Sequence, residues 1–204
     1  VSIFGPIITD TQVENRVRDQ LRLWLPSYLD ETARQDSFAS VAHPLSYETI
    51  RDRVTKWTEQ ALPAVIIEIG GTVATRRIGS EYRVVYACNV AAVIGGQTRA
   101  NTRQLAGIYG AAIAAALVQH GDLDGFAGGV EWTDTAYDSI SEDRSRTIMA
   151  VVVSLDVAVN AVLDVAMGPA GPPPPEGDPD IPGLPDYGHA ATVDAAVTIT
   201  TGAP

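Results

Sequence analysis

From Tyr82 to Ala92 the chain alternates with a period of two. Tyr82, Val84, Tyr86, Cys88, Val90 and Ala92 fall on one side, and Arg83, Val85, Ala87, Asn89 and Ala91 on the other. A helix cannot bury such a run on one face, because helical neighbours recur every three to four residues. The run is therefore a long strand, closed by Gly95-Gly96, that needs partner strands and a covering layer. Three further segments supply the partners. From Pro63, Val65, Ile67 and Ile69 alternate against Ile66 and Glu68, with Gly70-Gly71 expected to end that strand and Thr75 to Ser80 to form a polar hairpin tip. Gly129 to Tyr137 reads as a strand with Val130 and Trp132 prominent, joined through polar Ser141-Glu142-Asp143-Arg144 to a last strand from Arg146 to about Val159. In that strand Thr147, Met149, Val151, Val153, Leu155 and Val157 share one face.

Two helices supply the covering layer. The first begins near Asp10, where Thr11 and Glu14 have capping-box spacing, and Val13, Val17, Leu21, Trp24 and Leu25 recur at helical intervals until Pro26 is expected to stop it. The second spans about Thr98 to His120, with Leu105, Ile108, Ala112, Ile113, Ala116 and Leu117 as its apolar face and Gly121 suited to the position after the helix. Its alanines, with Gly107 and Gly110, make it slim enough to lie close to a sheet or another subunit. Between Ser27 and Leu62 the sequence is least readable. Ser46 suits the cap of a short helix with Ile50, Val54 and Trp57 on one face, and an extended segment over the first helix fits equally well. The predicted fold class is α+β: a two-layer antiparallel sheet with helices packed on one face, in the order α-β-β-α-β-β.

At Gly168 the composition changes, and this sets the expected division into a domain of residues 1–167 and an arm of residues 168–204. Pro172 to Pro175 lie in a stretch that predicts extended polyproline II structure. After it Val193, Val197 and Ile199 alternate with Thr198 and Thr200, which predicts a strand that must dock on a sheet edge of this chain or of a neighbour.

Charge narrows the function. The net charge of −11 argues against tight wrapping of nucleic acid, which needs clustered Lys and Arg. The apolar stretch Thr147 to Met167 is interrupted by Asp156, Asn160 and Asp164, so it predicts a strand and not a membrane span; the chain reads as soluble. The start, Val1 to Pro6, lacks the basic and apolar regions of a signal peptide. Cys88 is the single cysteine and reads as a buried structural thiol. His43, His120 and His189 have no second ligand at metal spacing, Asp122-Leu123-Asp124-Gly125 lacks the rest of a calcium loop, and the glycine pairs fit neither a phosphate loop nor a dinucleotide fingerprint. No catalytic residue, metal site or cofactor is expected, and the chain reads as non-enzymatic. Basic charge is nearly all Arg, with Lys56 the sole lysine. Arg76 and Arg77 at a hairpin tip, Arg99 and Arg103 on one helical face, and Arg144 and Arg146 at a strand start read either as solvated charge or as an Arg–carboxylate zipper between copies of an acidic subunit. Together with Val193, Val197 and Ile199 they are the candidate interface residues.

The order of elements resembles the tail terminator family of long-tailed bacteriophages over about residues 8 to 165. The features that carry this are the capped first helix, Leu62-Pro63-Ala64-Val65-Ile66-Ile67 opening a strand, the long strand ending at Gly95-Gly96, the alanine-rich helix and two closing strands. Neighbouring neck and tail-completion proteins share that fold. The resemblance implies a virion protein of the tail or neck, assembled in the host cytoplasm. It would form a homo-oligomeric, hexameric ring that caps the tail tube protein, ends tube polymerisation and joins the tail to the head connector or stopper. DNA would pass through the lumen without specific binding, and no membrane is involved. The arm would clamp an adjacent subunit or the neck ring. The alternative is another neck or tail-completion protein, or a small accessory domain whose proline-rich tail binds a partner; an unrecognised hydrolase is the remote third.

Overall fold

The computed structural model describes residues 8–49, 62–143 and 146–164. The elements run α1 (Asp10–Gln35), β1 (Ser46–Thr49), β2 (Ala64–Ile78), β3 (Glu81–Gly96), α2 (Arg99–Gln119), β4 (Gly129–Asp143) and β5 (Arg146–Asp164). The strands form one five-stranded sheet in the order β1-β2-β3-β5-β4. All neighbours are antiparallel except β1 and β2, which pair in parallel from Ser46 opposite Ala64 to Thr49 opposite Ile67. Both helices pack on the same sheet face, so the α+β class and the one-sided helical layer stand as expected, while β1 makes the sheet mixed.

The core follows from the two periodicities. On the sheet, Val65 and Ile67, then Val84 to Ile94 at alternate positions, then Val151, Val153, Leu155, Val157 and Val159 are all buried toward the helices. On α1 the buried stripe is Val13, Val17, Leu21, Leu25, Leu29 and Ala33, one residue per turn. That stripe explains a correction. Pro26 does not stop α1 but lies inside it. A mid-helix proline costs about 3 kcal/mol, and burying Leu29 and Ala33 beyond it offsets that cost. The N-cap is Thr9, one capping box earlier than expected: its hydroxyl accepts from the Gln12 N–H while the Gln12 side chain accepts from the Thr9 N–H.

On α2, small residues permit close approach. A Cβ on Gly110 would lie 3.0 Å from Val151 Cγ2 and 3.4 Å from Thr135 Cγ2, so the helix rests on β5 and β4 with no room for a side chain there. Gly121 serves the same end. Its added Cβ would meet the Val130 nitrogen at 3.0 Å, and its backbone does not take the left-handed cap conformation that its sequence position suggested.

The strands run further than their alternation implied. Gly70-Gly71 does not end β2: Ile69 faces Cys88 and Gly71 faces Ala87, so Gly70 is an extra residue in a bulge, with Gly71 at φ +130. Buried Glu14 of α1 accepts the Ile69 N–H at 3.2 Å at this point. The turn comes at Gly79-Ser80, with Gly79 at φ +65. β4 continues through Ser141–Asp143, which had read as a connection, and β5 bends at Ala161, φ +52, before ending at Asp164. Ser46, read either as a helix cap or as part of an extended segment over the first helix, opens the strand β1; Ile50, Val54 and Trp57 lie outside the described residues. So do the 167/168 boundary, Arg144, His189, Val193, Val197 and Ile199.

Candidate interaction surfaces

Register along the sheet fixes its two ends. β3 spans 16 residues, roughly 50 Å at strand rise. At one end are the β2–β3 turn, the close of β5 and the start of β4. At the other are Gly96, the start of α2 and the β4–β5 connection. The candidate arginines therefore divide. Arg76 and Arg77 stand exposed at the first end, and the Arg77 Nε donates to the Gly79 carbonyl at 2.9 Å. Arg99 and Arg103 are exposed one turn apart on α2 at the second end, and Arg146 pairs there in register with Asp143. The Arg103 guanidinium carbon sits 3.6 Å from the Tyr137 ring centroid, an intrachain cation–π contact that ties α2 to β4.

Each side of the sheet has an open edge among the described residues. β4 is the last strand on one side. On the other, β1 covers β2 only from Ala64 to Ile67, which leaves the outer edge of β2 from Glu68 to Ile78 without a described partner. The two edges differ in charge. β4 carries Glu131, Asp134, Asp138, Glu142 and Asp143 and no basic residue. From Glu68 to Ile78, β2 carries Arg76 and Arg77 and one acidic residue, Glu68. Both edges also expose large apolar side chains, Trp132 and Ile140 on β4 and Val73 and Ile78 on β2. Trp132 is held along its own strand, its indole N–H donating to the Asp134 carbonyl at 2.9 Å and to Thr135 Oγ1 at 3.0 Å.

A third surface lies on the helical layer at the β2–β3 turn end. The His120 ring stacks on Trp24 with centroids 4.0 Å apart and planes 7° from parallel, and Tyr28 meets it edge-on with its hydroxyl 3.2 Å from Nε2. The Tyr28 hydroxyl also donates to Gln119 Oε1 at 2.6 Å, joining α1 to the end of α2. Beside this stack a cleft of about 420 Å³ opens between Asp19 and Leu23 of α1 and the Asp122–Asp124 turn. The turn is set by Leu123, Asp124 and Gly125, at φ +48, +61 and +75, with the Leu123 side chain buried as its anchor. No spacing in the sequence points to this cluster, because Trp24 lies on α1, His120 caps the end of α2, and neither sits in a motif.

The other chemical candidates stay apart. His43 pairs with Asp30 at 2.8 Å on the surface, away from the His120 stack. Among the described residues no group of three or more His, Cys, Asp or Glu could hold a metal ion. Cys88 is fully buried, and burial, with the Glu14 charge second, pushes its thiol up to about 12, far from a reactive thiolate. No described helix is long and apolar enough to cross a membrane.

No family model matches the chain, and no curated protein matches it. Among solved structures it is similar to a chain from the virion of a native gene transfer agent particle, with 14% identity over 72% of this chain and 94% of that one and a TM-score of 0.37. A second solved chain, which carries no descriptive name, gives 20% identity over 68% and 94% with a TM-score of 0.27. Likenesses this distant carry no argument about what the chain does.

Proposed function

We propose that this chain is a structural subunit that joins copies of itself head to tail into a closed ring, acting as a tail terminator or closely related neck protein of a phage-like particle. The observation that carries this reading is the pair of open sheet edges on opposite sides of the subunit, one acidic and one basic. An open edge is a template for another strand, and edge charges normally block that pairing. Here the block is selective. Two β4 edges would set carboxylates against carboxylates, whereas β4 against a second copy's outer β2 edge meets a strand with a single carboxylate, Glu68, and two arginines beyond it. Contact between two different patches is heterologous, and it closes into a ring when the rotation per subunit divides a full turn.

The tail-end role draws on the order of elements, which resembles the tail terminator family, and the hexameric count on that resemblance. An acidic subunit suits a lumen through which DNA slides without being held. The arm of residues 168–204 would clamp the next subunit or the neighbouring neck ring. Native mass spectrometry of the purified full chain, followed by electron microscopy of the chain mixed with isolated tail tubes, tests the reading. A closed oligomer seated on tube ends is expected. A strict monomer at high micromolar concentration that leaves tube ends bare would overturn it. A closed oligomer that ignores tube ends would keep the ring and remove the tail role.

A further inference from the structure

We infer that the β2–β3 tip of one copy, Arg76-Arg77-Ile78, seats in the acidic cleft beside the Trp24–His120 stack of the next copy. This rests on the head-to-tail reading and names the surface that receives the tip.

The geometry comes from strand register. Gly129, the first residue of β4, faces Ala158, which lies beside Val85 of β3. Beyond Val85 the β2–β3 hairpin continues to the Gly79-Ser80 turn, five residues further, or roughly 17 Å. β2 and β4 run in opposite senses across the sheet, so the outer edge of β2 in a second copy of like orientation lies antiparallel to β4. In that arrangement the second copy's tip overshoots Gly129 and reaches the level of the 121–128 turn. That turn forms one wall of the cleft.

The chemistry of the two surfaces matches. The cleft gathers Asp19, Asp122 and Asp124 against one cation, Arg16, whose guanidinium lies 5.4 Å from the Phe126 ring centroid. Its apolar rim is Leu23, 65% exposed on α1, next to the Trp24 face. The tip presents two arginines followed by Ile78, 54% exposed. The Arg77 bond to the Gly79 carbonyl engages one of five guanidinium donors and holds the side chain at the turn, so part of its ordering cost is met before docking. Arg suits this role because its planar fork pairs with carboxylates and stacks on aromatic faces.

Sedimentation velocity of the full chain over a concentration series tests the inference with three variants. The first reverses the tip (Arg76→Glu with Arg77→Glu), the second reverses the cleft (Asp19→Lys with Asp124→Asn), and the third combines all four changes. Circular dichroism of each confirms folding, since every altered side chain is exposed. Each reversal alone is expected to raise the half-assembly concentration at least about tenfold, and the combined chain to return to within about threefold of the unaltered protein, as coupled partners do. Reversal of either surface without effect, or a combined chain no better than the weaker of the two, would overturn the inference while leaving the ring intact. An unaltered chain that never assembles would overturn the head-to-tail reading and this inference with it.

Discussion

Trp132 offers the sharpest test of the β4 edge. Its side chain is 55% exposed although its indole N–H is already bonded within its own strand. A tryptophan side chain presents roughly 250 Å² when fully extended, so about 140 Å² remains for a partner to cover. At about 25 cal/mol per Å², covering all of it would stabilise each contact by about 3 kcal/mol, or roughly two decades in dissociation constant. Trp132→Ala is therefore expected to weaken self-association by roughly 30- to 100-fold, read by analytical ultracentrifugation well below the melting temperature. Monomer stability should fall as well, by up to a comparable amount, since a little under half of the side chain is already covered, so association is compared only where both chains are folded. If Trp132→Ala assembles over the same concentration range as the unaltered chain, the Trp132 face is not covered and the β4 edge is not the joint.

Other outcomes follow from the fold. Pro26→Ala should stabilise the chain by about 1–3 kcal/mol in urea unfolding, because it restores a hydrogen bond inside a helix that runs to Gln35; no gain would mean that the helix breaks at Pro26. Gly110→Leu should destabilise by about 2 kcal/mol or more, as its side chain must displace Val151 or lift α2 from the sheet, and a melting temperature unchanged from the parent would contradict that packing. Cys88 sets an alkaline limit. Its folded pKa of about 12 lies above the unfolded value near 9, so full stability holds below about pH 9 and declines by roughly 1.4 kcal/mol per pH unit above it, up to about pH 12. Cys88→Ala should flatten part of that decline, and an identical pH profile in the variant would refute the assignment.

Much of this architecture was legible because one period dominated each segment. Tyr82–Ala92 and Thr147–Val157 alternate cleanly, and the alanine-rich run of α2 keeps its apolar face at helical spacing, so their types and facing residues could be read directly. The failures share one cause, tertiary packing overriding a local signal. Pro26 is a stop signal until Leu29 and Ala33 find a core. Gly70-Gly71 marks a strand end until Glu14, from another element, engages the Ile69 N–H at a bulge. Ser46–Thr49 has no apolar alternation at all, and its strand state comes from pairing with Ala64–Ile67. The interaction surfaces were harder still. Arg76 and Arg77 were visible as candidates, but that Arg99 and Arg103 stand at the opposite end of the sheet follows only from register. The Trp24–His120 stack joins residues 96 positions apart, and no spacing rule reaches that far.

The central claim is that β4 of one copy meets the β2 edge of the next and not another β4. Disulfide trapping reads this directly, because the only native thiol is buried. Thr133→Cys on β4 and Glu68→Cys on β2, which stand level when two copies lie in like orientation, are made in separate chains and oxidised alone and as a mixture. Cross-linked dimers that appear only in the mixture are the predicted result, with a chain carrying both cysteines forming a ladder up to the closed ring. Dimers in the Thr133→Cys pool alone would show β4 pairing with itself, and the head-to-tail account would be wrong.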